Sequence, residues 1–348
     1  MKALETFEVV PYALPFRRPY LTARGHLERR EIVLLRIRTS EGATGLGEGV
    51  PMSLRGGSSL VEVVSQLEAW GARAVSGKTD PGGMSGPARI AAATALADAE
   101  SKLRGVPLHE FLAPGSSDQP IVCNATLTAG PPEDVIRQAE WWAEDGFMSF
   151  KLKLGVGDDL AQVAAVRESL GVQVKIRIDA NGSWDANDAA AKLAALEPFG
   201  IELAEQPVAS LDDMARLRKT SPVPLVADES VFSVEGAEEA LKLAACDAIT
   251  VKLSKTGSLD ASLGGLLPTY LSSALDGPVG IAAAAHVAQT LPSSEAFPDL
   301  AQGLATSRLF ATTVAEKEAV LSGPLLRLPG GPGLGVTIDE KALNRHRL

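Results

Sequence analysis

Five charged residues recur at the ends of short apolar runs: Lys153, Asp179, Glu205, Asp228 and Lys252, at intervals of 26, 26, 23 and 24 residues. A sixth, Lys151, stands two before Lys153 in "FKLKLG", so on a strand both lysines share one face. Lysine is depleted in strands and rarely buried without a partner, so the pair needs an explanation. Three carboxylates converging from neighbouring strands repel one another, and a divalent cation removes that cost. An all-oxygen set favours Mg²⁺ or Mn²⁺ over zinc. Lysines stand on either side of these acids. A nearby cation and partial desolvation lower a lysine's pKa towards the working pH. Such an amine can take a proton from carbon while the metal and the other cations hold the resulting dianion. The expected chemistry is proton abstraction beside a carboxylate, with one lysine as base and another as added positive charge.

The elements that must position these groups follow from periodicity. Apolar segments at 121–127, 147–154, 174–179, 201–207, 224–230, 248–254, 270–275 and, weakly, 300–306 alternate with alanine-rich helical stretches. That alternation predicts parallel strands joined by crossover helices. Eight units of this size predict a closed α/β barrel, in which each charged group sits at the C-terminal mouth, where such barrels do chemistry. The first 49 residues read as strands with turns, and 58–112 as helices. "LAPGSSDQP" reads as a boundary. The division expected is a capping domain, 1–118, a barrel, 119–318, and a loop-rich tail, 319–348, that returns to the cap.

Blander explanations exist for each residue alone. An Asp at a strand end is commonly a helix N-cap, and strand lysines are commonly guards of a sheet edge. Five in register are not explained that way. Arg177, two before Asp179, also faces the barrel interior, where it either contacts substrate or balances the acids. Asn181 and Glu229 either support the ligands from behind or form turns. His26, His109, His286 and His346 match no ligand or triad spacing and read as structural. "GLGEG" lacks the third glycine and the following helix of a dinucleotide loop.

Composition narrows the partners. The formal charge of −10 argues against nucleic acid. No run approaches twenty uninterrupted apolar residues, which argues against a membrane span. "MKALETFEVV" lacks the apolar core of a signal peptide. Cys123 and Cys246 form no motif and read as small buried residues, so a reducing, cytoplasmic setting is expected.

The motifs "KLK" (151–153), "RIDANGSW" (177–184), "AEQP" (204–207), "ADES" (227–230) and "VKLSKTGS" (251–258) carry a resemblance to the enolase superfamily, in its muconate-lactonizing subgroup. The resemblance covers nearly the whole chain. It implies an α+β capping domain, a (β/α)7β barrel and a lysine base working against a Mg²⁺-stabilised enediolate. It implies Asp179, Glu205 and Asp228 as Mg²⁺ ligands, with Mn²⁺ able to substitute. Lys153 and Lys252 then lie on opposite faces of the substrate, with Lys151 as a further cation. The stretches "YLSSALDGPVGIAAAAHVAQTLP", "LAQGLATSRLF" and "PGGPGLGV" resemble the o-succinylbenzoate synthase family in particular. There a serine-rich turn holds the succinyl carboxylate, which implies substrate contacts for Ser272 and Ser273. The implied reaction is that of a hydro-lyase of menaquinone biosynthesis. It dehydrates 2-succinyl-6-hydroxy-2,4-cyclohexadiene-1-carboxylate to o-succinylbenzoate, with Lys153 acting as base and then as acid. Two positions depart from the pattern: Gly257-Ser258 replaces the usual Gly-Gly, and Gln302 replaces the histidine of "HGLAT".

N-acylamino acid racemases, cycloisomerases and epimerases use the same lysine pair and stay open as alternatives. Dipeptide epimerases usually carry an Asp-x-Asp grip near the last strand, and none stands here. A sugar-acid dehydratase would want a histidine after the seventh strand, and His286 lies well past it. The implied partner is a small-molecule carboxylate, with specificity expected from cap loops near 15–21 and 50–54. A homo-oligomer is compatible with these motifs.

Overall fold

The computed structural model describes residues 4–22, 25–52 and 56–348. Three antiparallel strands open the chain: β1 (Leu4–Thr22), β2 (Gly25–Thr39) and β3 (Thr44–Gly49), in the order β1-β2-β3. Three helices follow, α1 (Leu60–Val75), α2 (Gly86–Arg104) and α3 (Leu108–Leu112). Strand β2 is buried on both faces. Val33, Leu35 and Ile37 pack with Leu67, Trp70 and the alanines of α2, while Ile32 and Leu34 join the core shared with the barrel. This two-sided burial explains why "EIVLLRI" is nearly continuously apolar. The glycines of "GLGEG" have a packing role. A Cβ at Gly45, Gly47 or Gly49 would lie 2.0, 1.8 or 2.3 Å from the carbonyl oxygens of Ala95, Ala91 and Pro87, so α2 rides directly on the β3 backbone. The 15–21 stretch, expected as a loop, continues β1 with a register irregularity between Pro15 and Tyr20. Of the second expected loop, residues 53–54 lie outside the described residues.

The barrel begins as the 121–127 segment divides into β4 (Ile121–Val122) and β5 (Ala125–Leu127). The units that follow are α4 (Pro132–Ala143), β6 (Ser149–Lys153), α5 (Asp159–Leu170), β7 (Lys175–Asp179), α6 (Ala189–Leu196), β8 (Ile201–Glu205), α7 (Leu211–Arg218), β9 (Leu225–Ala227), α8 (Val234–Lys242), β10 (Ala248–Val251), α9 (Leu253–Thr256), β11 (Thr269–Leu271) and α10 (Pro278–Ala288). Strands β5 to β11 form one parallel sheet in sequential order. Gln302 and Gly303 close it, bridging to Cys123 on one side and Ser272 on the other. The eighth segment, expected as a strand over 300–306, is thus reduced to bridges and runs into a 3₁₀ turn at Ala305–Leu309. The architecture is an α/β barrel of the (β/α)7β, TIM-like kind with an N-terminal α+β cap.

The tail adds β12 (Ala315–Lys317), β13 (Val320–Ser322), β14 (Leu325–Arg327), β15 (Thr337–Ile338) and α11 (Glu340–His346). It serves both halves of the molecule. β14 pairs with β4 of the barrel, whereas the Leu348 amide donates to the Pro11 carbonyl of β1 at 3.0 Å. Cap and barrel are tied directly as well. Arg89 of α2 donates to the Gly257 and Thr256 carbonyls, and Arg30 of β2 to the Pro51 and Ala274 carbonyls. His109 and His286 stack at 5.3 Å, and the His286 Nδ1 accepts the His109 backbone N–H. Burial pushes His286 down to about 3, so it stays neutral. Both cysteines are free and buried. Among the described residues, no helix is long and apolar enough to cross a membrane.

Candidate active site

Parallel register sets the site. Lys153 pairs with Asp179 and Asp179 with Glu205, so these three lie level across β6, β7 and β8, and Lys151 pairs with Arg177 one row below. Asp228 follows the last residue of β9, and Lys252 follows β10 as the N-cap of α9. Each carboxylate is fully buried and each is met by ammonium. Lys151 Nζ donates to Glu205 Oε2 at 2.5 Å and lies 2.9 Å from Asp179 Oδ2. Lys153 Nζ lies 2.5 Å from the same Asp179 oxygen and 3.2 Å from Asn181 Oδ1. Lys252 Nζ binds Asp228 Oδ2, and Lys255 Nζ lies 3.2 Å from Asp228 Oδ1.

The electrostatics separate these groups. Burial opposes ionisation of Asp179, but Lys151, Lys153 and Lys252 more than offset it and hold the carboxyl well below its ordinary value. Burial, then the Asp179 charge, pushes Glu205 up. Burial works against the charge on Lys151, yet Asp179 and Glu205 win and raise it well above the usual lysine value. The two carboxylates thus favour the charged form of Lys151. Burial lowers Lys255. Burial, together with the Glu205 charge, keeps the Tyr270 phenol protonated.

Lys151, Lys153 and Lys252 line one cavity with Asn181, Thr126 and Thr306. The seventh-strand turn walls it with Ser272, Ser273, Ala274 and Leu275, and the cap roofs it with Tyr20, Leu27, Arg30, Pro51 and Met52. The two serines do different work. Ser273 Oγ accepts the Leu275 and Asp276 amides at 2.9 and 2.8 Å and donates to Asp276 Oδ2, so its hydroxyl is spent on the turn. Leu275 has φ 68°, a left-handed backbone that is costly for a leucine. Opposite Ser272 stands Gly303, where a Cβ would come within 2.6 Å of the Ser272 hydroxyl.

Arg177 does not reach this cavity. Its guanidinium lies below the carboxylates, bonded to Glu202 at 2.5 Å and the Ala301 carbonyl at 2.6 Å, with the Tyr270 ring 5.3 Å away. The expectation of a substrate contact is corrected: Arg177 is buried and balances the partly exposed Glu202. Asn181 donates to Glu229 Oε1 at 3.0 Å while its backbone N–H holds Asp179 Oδ1, so Asn181 supports that acid from the cavity wall and Glu229 stands behind Asn181. Sequence reasoning missed Gln206, Lys255 and Tyr270. Gln206 Oε1 accepts the Asp228 amide at 2.8 Å, fixing the strand end that bears the acid. Its place in "AEQP" was the available signal.

Among the described residues, no three His, Cys, Asp or Glu side chains are gathered as a ready metal cluster. Ammonium groups stand against the acids instead. The donor set nevertheless fits a hard divalent cation. Three carboxylates project from adjacent strands, and Glu205 Oε1 is buried with no hydrogen-bond partner.

Comparison with known proteins accounts for the whole chain. Residues 5–113 match the mandelate racemase / muconate lactonizing enzyme N-terminal domain, and residues 134–342 match the enolase C-terminal domain-like family. The L-Ala-D/L-Glu epimerase of Bacillus subtilis is 31% identical, over 93% of this chain and 94% of its own. The muconate lactonizing enzyme of Pseudomonas fluorescens, solved with muconolactone, superposes with a TM-score of 0.91 at 27% identity, over 100% of both chains. The dipeptide epimerase of Enterococcus faecalis, solved with Mg and the dipeptide L-Leu-L-Tyr, gives 0.87 at 26% identity, over 97% of this chain and 100% of that one.

Proposed function

The chain belongs to the mandelate racemase / muconate lactonizing enzyme branch of the enolase superfamily, and on that premise we propose that it moves a proton at the carbon next to a carboxylate, between Lys153 and Lys252. The carrying observation is that both ammonium groups enter one cavity on either side of the buried acids. Asp179, Glu205 and Asp228 would hold Mg²⁺, which when bound polarises the substrate carboxylate as a Lewis acid. Lys153 takes the proton on its face of the substrate, and Lys252 delivers one on the other. Lys151 keeps positive charge beside the acids throughout. The barrel, 119–318, does the chemistry in this reading, and the cap, 1–118 with 319–348, supplies specificity.

The product class follows from what the lysines do next. Reprotonation from the opposite face makes a racemase or epimerase, and this is the reading that the epimerase relative favours. The segment that closes the barrel, "QGLATSR", has no carboxylate to grip a free amine. The substrate is therefore proposed to be an N-acylated amino acid. A second reading is favoured by the serine turn, whose Ser272 and Ala274 wall the cavity as a holder for a distal carboxylate. There Lys153 would return its proton to a departing hydroxyl, giving o-succinylbenzoate.

Two substrates in D₂O decide. N-succinyl amino acids should gain α-deuterium and racemise under the first reading. The hydroxycyclohexadiene carboxylate should aromatise, with little deuterium entering the amino acids, under the second. Excess chelator should remove either activity, and Mg²⁺ or Mn²⁺ should restore it. Full activity in chelator would sink both readings.

A further inference from the structure

Glu205 is the middle carboxylate, and its two oxygens are treated differently. Oε2 receives two hydrogen bonds, from Lys151 Nζ and from the Tyr270 hydroxyl, each at 2.5 Å. Oε1 is buried without a hydrogen-bond partner, and Lys252 Nζ is 3.8 Å from it. Tyr270 comes from β11, three strands away from β8 in sheet order, so its side chain spans the barrel interior. It is fully buried and packs with Leu203, Val226 and Ala248. Its ring lies beside the Arg177 guanidinium, which Glu202 and the Ala301 carbonyl fix in place. A phenol held this way has little freedom to swing.

We infer that Tyr270 is a positioning residue: with Lys151 it pins Glu205 by Oε2 and so presents Oε1 to a divalent cation. The inference rests on the proposal that Glu205 is a metal ligand. The chemistry suits the task. A carboxylate free to rotate could present either oxygen, or both, and would lose entropy on binding metal. A second lysine on Oε2 would fix it too, but would place another positive charge beside the incoming cation. A neutral hydroxyl fixes the carboxylate without that repulsion. Groups behind a ligand typically change metal affinity by about 10- to 100-fold when removed.

Tyr270→Phe keeps the ring, its volume and its place beside Arg177, and deletes one hydroxyl. Calorimetric titration of Mg²⁺ into the substrate-free protein should show a dissociation constant raised about 10-fold or more. A residue that only packs would leave that constant unchanged, so a value within twofold of wild type overturns the inference. Glu205→Gln separates this failure from that of the underlying proposal. If wild type binds Mg²⁺ and Glu205→Gln binds it equally well, Glu205 is no ligand and both ideas fall. Should Tyr270→Phe fail to fold, the wild-type protein still decides. Ultraviolet difference spectra recorded during Mg²⁺ addition should show a tyrosine perturbation that saturates with the calorimetric constant and is lost in Glu205→Gln. A featureless difference spectrum overturns the inference.

Discussion

One oxygen, Asp179 Oδ2, meets two ammonium groups, Lys151 at 2.9 Å and Lys153 at 2.5 Å. The two lysines are neighbours in the chain and unequal in chemistry. Lys151 also binds Glu205 and is held as a cation, whereas Lys153 opens on the cavity beside Asn181. Lys252 enters from the far side of the acids, with Asp228. If both reach the same carbon, each should serve one enantiomer. Lys153→Ala and Lys252→Ala should each lose racemisation by at least about 10²-fold, the low end for a general acid–base group. Each should still exchange the α-proton of the enantiomer facing the surviving lysine, a result that proton NMR in D₂O reads directly. Equal loss of exchange from both enantiomers in either variant would rule out a lysine on each face.

At the scale of elements, β3 and the seventh-strand turn are the parts with least tolerance. Gly47 leaves no room for a methyl group, since its Cβ would lie 1.8 Å from a helix carbonyl. Gly47→Ala should destabilise the protein by roughly 1–3 kcal/mol or more. For a protein of this size the melting temperature should fall by about 1–2 °C per kcal/mol, which calorimetry measures. In the turn, Leu275→Gly should relieve left-handed strain but also delete a buried side chain of the core, so the melting temperature should fall, and substrate binding should weaken because Leu275 lines the cavity. The strand ends bearing Lys153, Asp179 and Glu205 were legible in sequence because a charged residue interrupts each apolar run at a regular interval. The closing segment was legible only weakly, because only Gln302 and Gly303 pair, and their partners, Cys123 and Ser272, are remote from each other in the chain. Arg177 was ambiguous for a similar reason: its partner, Glu202, is set by the tertiary approach of β8. Tyr270 reads in sequence as one more core aromatic, since nothing local reveals a hydroxyl aimed across the barrel.

Across the whole molecule, cap and barrel meet on a buried acid. Glu48 of β3 accepts the Gly277 and Val279 amides at the start of α10 and the Tyr12 hydroxyl. Burial, with Asp276 nearby, pushes Glu48 up to about 8 from an ordinary 4.5. A carboxyl that resists ionisation more when folded favours the folded state while it is neutral. That contribution is complete below about 4.5, declines as pH rises, and is gone above about 8. Stability in urea should therefore fall between pH 5 and pH 8.5, by an amount on the order of a few kcal/mol for this one group. Glu48→Gln should flatten that slope, and an unchanged slope would mean that other groups carry it.

The middle of the outer edge of β1 is covered by residues far along the chain. Phe310 bridges Phe16, the Ala311 amide donates to Pro15, Arg347 bridges Tyr12, and the Leu348 amide donates to Pro11. At roughly 5–20 residues per second of synthesis, that edge leaves the ribosome some tens of seconds before its cover does. An unpaired strand edge is a template for wrong partners. This strand is thus made well before its edge is protected, and during that interval a nascent-chain chaperone has its clearest reason to hold this protein.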